Sequence, residues 1–74
     1  MSKLPAISGK EVCDILKKRG YHIDHQTGSH FILRNENPPY RRVTIPNHKE
    51  IAKGTLRSIM RQTGLTLDEF LNLM

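Results

Sequence analysis

The chain has 74 residues, 36% of them hydrophobic and 26% charged, which suits one small domain spanning residues 1–74 and leaves no room for two. Its longest apolar run is Phe31-Ile32-Leu33, so a membrane-crossing helix is excluded, and the opening residues do not read as a secretory leader. Twelve Lys and Arg against seven Asp and Glu give 12 − 7 = +5, an excess that favours a polyanionic partner such as nucleic acid. A basic surface kept for solubility gives the same sum, so position must decide. A single cysteine, Cys13, allows neither an internal disulfide nor a structural zinc cluster, and a reducing, cytoplasmic setting is expected.

The first helix is marked at both ends. Ser8-Gly9-Lys10-Glu11 has the form of a capping box, with Ile7 and Val12 placed as a hydrophobic staple. Val12, Ile15 and Leu16 then share a face at i, i+3, i+4. Lys17-Lys18-Arg19 stands where the helix dipole favours cations, Gly20 offers a left-handed stop, and Leu16 can meet Tyr21 across it. The period then changes. Tyr21 to Gln26 alternates, which puts Tyr21, Ile23 and His25 on one face and His22 on the other. Thr27-Gly28 signals a turn, and Ser29 to Arg34 is rich in β-formers. A loop at Asn35-Glu36-Asn37-Pro38-Pro39 leads to a third strand, Tyr40 to Ile45, ended by Pro46. Short connections make the three strands an antiparallel meander.

From Lys53 the helical period returns. Leu56, Ile59 and Met60 share one face, Arg57 and Arg61 another, and Gly64 ends the helix. A Thr66/Glu69 box and a Leu65/Phe70 staple open a last short helix carrying Phe70, Leu71 and Met74. The order α-β-β-β-α-α predicts an α+β fold, with helices from both chain ends covering one face of a three-stranded antiparallel sheet.

That order is the one found in the double-stranded RNA-binding domain (dsRBD), and particular residues carry the likeness further. At Leu4-Pro5 with Ser8-Gly9-Lys10-Glu11, at Gly28-Ser29-His30, and at Ile45-Pro46-Asn47-His48 leading into Lys53-Gly54-Thr55-Leu56, the chain resembles the HicA family of mRNA interferase toxins. The likeness runs from Leu4 through Leu71. It implies a small dsRBD-like endoribonuclease that cuts mRNA, arrests translation and growth, and is neutralised by a HicB-type antitoxin covering its essential histidine. That histidine lies in the Gly-Ser-His turn and maps onto His30; many members carry a second histidine directly after it, where this chain has Phe31.

On its own terms, His30 starts a strand just past a glycine turn. Alternation sets His30, Ile32 and Arg34 on one face and Phe31 and Leu33 on the other, which leaves His30 on the more accessible side. A surface histidine that merely follows a turn fits the same pattern. RNA supplies its own nucleophile, the 2′-hydroxyl, so cutting it needs only proton transfer and charge stabilisation. Histidine, titrating at about pH 6.5, offers both forms near neutrality. The expected role of His30 is general base on the 2′-hydroxyl or general acid on the leaving 5′-oxygen, giving a 2′,3′-cyclic phosphate and a 5′-hydroxyl. The second proton-transfer group is open: His25, across the hairpin, and His48, before the second helix, are both available and both ordinary surface positions. No zinc-site spacing occurs, His22 and His25 fall on opposite strand faces, and the carboxylates are scattered, so the expected reaction uses no metal and no cofactor.

The candidate RNA contacts are basic residues and the turn. Gly28 and Ser29 flank His30, and Lys49 and Lys53 stand at the start of the second helix, where unpaired amides favour phosphate, with His48 beside them. Thr55 either caps that helix or joins them. Arg41 and Arg42 straddle the sheet, so only one can share the face of His30 and stabilise the pentavalent phosphate. Tyr40 is the one aromatic free to stack a base, and weak sequence selectivity follows. The free toxin is expected to be a monomer that forms a hetero-oligomer with its antitoxin. The competing reading is a non-catalytic double-stranded RNA-binding module of the same fold, in which His30 only touches a phosphate or sugar. A protein-interaction adaptor leaves the basic Lys49–Lys53 stretch unexplained.

Overall fold

The first helix begins where Ser8 and Glu11 close their box: the Glu11 N–H donates to Ser8 Oγ and the Ser8 N–H to the Glu11 carboxylate, both at 3.1 Å. In the computed structural model, which describes residues 4–74, this helix is α1 (Gly9–Lys17). It is followed by β1 (Tyr21–Gln26), β2 (His30–Asn35), β3 (Arg42–Pro46), α2 (Lys53–Thr63) and α3 (Leu67–Asn72). The strands make one antiparallel sheet in the order β1-β2-β3, and the architecture is α+β with the element order of the dsRBD.

Local chemistry sets most of the boundaries. Gly20 has φ +87°, and a side chain there would also press on Asn35 and Asn37. Gly64 closes α2 in the left-handed region, its N–H donating to the carbonyls of Met60 and Arg61. The Thr66/Glu69 box opens α3, and its bonds to the Glu69 carboxylate, helped by Arg19 at 3.1 Å, hold that group below the ordinary carboxylate range. The folded state therefore favours the ionised form, so this contribution is complete at neutral pH and is lost as pH falls through the lowered value.

The helices cover one face of the sheet. Val12, Ile15 and Leu16 of α1, Leu56, Ile59 and Met60 of α2 and Phe70 of α3 are buried with Phe31, Leu33, Val43 and Ile45. Ile7, Tyr21 and Ile51 close the cluster, and no polar or charged residue among those described is buried. Cys13 lies in the same layer, where burial pushes its thiol up to about 11 and keeps it protonated and unreactive at neutral pH.

Three features depart from the simple periodic reading. The register of β1 shifts between Ile23 and His25, so Asp24 is the extra residue of a β-bulge. Before it, Tyr21 and Ile23 oppose Asn35 and Leu33; after it, His25 opposes Ile32 and Gln26 opposes Phe31. Directly opposed residues share a face, so the bulge moves His25 off the helix-covered side and onto the open side with His22. Next, β3 begins at Arg42, because Tyr40 takes φ +58° and donates its N–H to the Asn37 carbonyl at 2.8 Å, closing the proline turn outside the strand. Finally, Phe70 is the one buried residue of α3, while Met74 falls beyond the helix and is exposed.

Candidate active site

The turn before His30 is held by its own threonine. Thr27 donates its N–H to the His30 carbonyl at 2.9 Å, and Thr27 Oγ1 accepts from the N–H groups of Ser29 and His30 at 3.3 and 3.0 Å. The His30 backbone is thus fixed while its ring is exposed. Ser29 Oγ lies 3.0 Å from Nδ1 of that ring, which leaves Nε2 free to meet a ligand. Phe31, the next residue, points into the core, so the position after His30 lies on the other side of the sheet.

Two further segments are tied to this end of the sheet. His30 opposes Pro46, and the Asn47 N–H donates to the Ser29 carbonyl at 2.8 Å. The loop after β3 then holds the start of α1: Gly9 N–H donates to the His48 carbonyl at 2.9 Å and Ile51 N–H to the Ile7 carbonyl at 2.8 Å. Gly9 is buried, and a Cβ built on it would overlap the Pro46 carbonyl, so glycine is what lets the helix approach so closely. The turn at Ser29 and His30 is therefore joined through Pro46 and Asn47 to the loop that carries His48. Gly28 has no positive φ and nothing within 4 Å of its built Cβ. Neither packing nor backbone conformation requires a glycine there, and the space over the turn is open to a ligand.

The arginines divide differently. The open face carries His30 beside Pro46, then His25, Ile32 and Thr44 in line, then His22, Arg34 and Arg42. Arg42 shares the face of His30 but stands four residues along the ladder, about 13 Å at the usual strand rise. It is therefore not the immediate neighbour of His30 on that face, as a simple pairing of the two strands leads one to expect. Arg41 is spent elsewhere, its guanidinium donating at 3.2 Å to the Gln62 carbonyl at the C-terminal end of α2. Lys53 is the first residue of α2 and is exposed, but Thr55 is not its cap: the cap is Ala52, with no side-chain bond. The helix starts earlier than the Thr55 cap reading requires, because Ile51 is already pinned to Ile7.

Two contributors escaped the sequence reading. Arg34 directly opposes Arg42, and among the described residues neither makes an ion pair. Arg34 Nε is also buried without a hydrogen-bond partner. Like charges directly opposed on a sheet are destabilising. The other is the pairing of His25 Nδ1 with Asp24 Oδ2 at 3.3 Å, visible only once the bulge is known. His22 and His25 share a face, contrary to simple alternation. Among the described residues, no three His, Cys, Asp or Glu side chains come together as a metal site.

A family model described as the HicA toxin of bacterial toxin-antitoxin matches residues 9–65. The chain belongs to the HicA toxin family. The match takes in α1, the whole sheet and α2, and with them the turn at His30 and the loop at His48 and Lys49; only α3 falls beyond it. This HicA-family chain is accordingly a toxin of the toxin–antitoxin class. No curated protein matches it significantly. Among the described residues, no helix is long and apolar enough to cross a membrane.

Proposed function

We propose that this HicA-family toxin is an mRNA endoribonuclease that cleaves by internal transesterification at His30, and that a HicB-type antitoxin silences it by covering that end of the sheet. The observation that carries this reading is the His30 ring: exposed, held at Nδ1 by Ser29 at 3.0 Å, and standing at the end of a basic open face. The ribose 2′-oxygen attacks the adjacent phosphorus, the bond to the 5′-oxygen breaks, and protons leave the first oxygen and arrive at the second. Imidazole is suited to either transfer at neutral pH. The reading needs no metal, because the substrate brings the nucleophile and the chain brings the proton carrier. Gly28 and Ser29 admit the RNA backbone beside the ring, and Lys49, Lys53 and His48 attract its phosphates. An acidic or apolar antitoxin surface complements the same charges.

The test is cleavage of an RNA oligonucleotide in EDTA beside its 2′-deoxy counterpart. The RNA is expected to be cut, leaving a 2′,3′-cyclic phosphate and a 5′-hydroxyl, while the DNA stays intact. Cutting of the DNA, or loss of cutting in EDTA, rejects the mechanism. Binding of RNA with no cutting supports the non-catalytic module instead.

Phosphates beyond the cleaved one are assigned to Arg34 and Arg42. With a non-cleavable RNA, the double variant Arg34→Gln/Arg42→Gln is expected to bind more weakly and to flatten the plot of log K against log salt by about 1.4, since each phosphate contact on a single strand contributes about 0.7. The comparison is Arg57→Gln/Arg61→Gln, which removes the same charge from α2 and is expected to change the slope little. Equal losses from both pairs mean that net charge alone is being read. Relief of the opposed guanidinium groups also raises the melting temperature of the first variant without RNA.

A further inference from the structure

We propose that His25 is the general acid of the cleavage reaction and His30 its general base, an assignment that rests on the ribonuclease reading above. The carrying observation is the bulge at Asp24. Without that extra residue, His25 would follow Tyr21 and Ile23 toward the helices; with it, His25 opposes Ile32 on the open face. Thr27 closes the hairpin opposite His30 through its 2.9 Å bond, so His25 is the diagonal neighbour of His30 across the two strands. Diagonal neighbours on one face stand about 7 Å apart. Two imidazole rings rooted at that spacing can flank a single phosphate.

Their partners differ in the sense the reaction requires. His25 Nδ1 lies 3.3 Å from the Asp24 carboxylate, which orients the ring and balances its charge when it carries both protons. Such a ring is the proton donor, through Nε2–H. His30 Nδ1 faces an uncharged hydroxyl; with Nδ1–H donated to Ser29 Oγ, its Nε2 lone pair is free to take a proton. His48 lies past β3, on the opposite side of β2 from His25, and its backbone is engaged in holding α1.

The step balances. As the 2′-oxygen bonds to phosphorus, its proton passes to His30 Nε2. As the bond from phosphorus to the 5′-oxygen breaks, that oxygen takes the proton from His25 Nε2. Water exchange restores both rings.

The experiment uses wild-type toxin and His25→Ala with two substrates: ordinary RNA, on which the cleavage site is first mapped, and the same RNA with sulfur replacing the bridging 5′-oxygen at that site. A thiolate departs without being protonated. His25→Ala is expected to cut ordinary RNA about 10²–10⁴-fold more slowly at an unchanged KM, and to cut the sulfur substrate nearly as fast as wild type. His30→Ala is expected to gain no such rescue. Asp24→Asn, which keeps an acceptor but removes its charge, lowers kcat on the oxygen substrate alone. If His25→Ala cuts ordinary RNA at the wild-type rate, or is equally impaired on both substrates, the assignment is wrong. If wild-type toxin cuts neither substrate, the ribonuclease reading itself falls.

Discussion

His30→Ala protein is expected to fold, to bind RNA and to leave it uncut. The ring is exposed, and among the described residues its one hydrogen bond is the contact with Ser29 Oγ, whereas the turn beneath is held by Thr27. Alanine therefore removes the proposed proton carrier without opening a cavity or releasing the hairpin. A positioned acid or base contributes about 10²–10⁴-fold to a rate, which at about 1.4 kcal/mol per decade is roughly 3–5 kcal/mol of barrier. Cleavage of a labelled RNA under single-turnover conditions should fall by at least that factor, with the dissociation constant for a non-cleavable analogue little changed. In cells, wild-type expression is expected to arrest growth and His30→Ala is expected not to. A variant that still cuts at the wild-type rate removes His30 from the chemistry, and one that loses binding together with cutting makes it an RNA contact instead.

What the residues disclosed in advance depends on how local the responsible physics is. Both capping boxes and both glycine stops were legible, because each is a bond or a backbone angle set within a few residues. The core stripes of α1 and α2 were legible for the same reason. The bulge was not. Asp24 is polar and suits either face, so the period of β1 looks unbroken until the partner strand fixes the register. That single residue puts His25 on the open face, diagonal to His30. Arg41 and Arg42 are adjacent and chemically identical, yet one is bound to the end of α2 and the other faces Arg34. Only the pairing of β2 with β3 separates them. The left-handed Tyr40 is similarly hidden, because nothing in a tyrosine announces a positive φ.

The substitution with the largest expected cost to folding, Phe70→Ala, lies far from this chemistry. His30 sits where β2 begins, beside the start of α1; α3 is tied instead to the other end of α1, by Lys18 Nζ donating to the Leu73 carbonyl at 2.6 Å and Arg19 to the Glu69 carboxylate at 3.1 Å. Both ties are exposed and contribute little alone. A helix of six residues does not persist without tertiary packing, and Phe70 is its one fully buried side chain. Truncating a buried phenylalanine costs about 3–5 kcal/mol, against about 4–11 kcal/mol of total stability for a chain of this size. The expected result is a fall of at least 12 °C or so in melting temperature, or unfolding at growth temperature, with Phe70→Leu intermediate. At low temperature, where the variant is still folded, cleavage per folded molecule should match wild type, since no residue at the His30 end has moved. A Phe70→Ala protein with wild-type stability would mean that α3 is dispensable to the core; one that is folded but inactive would mean that α3 reaches the site by a route other than packing.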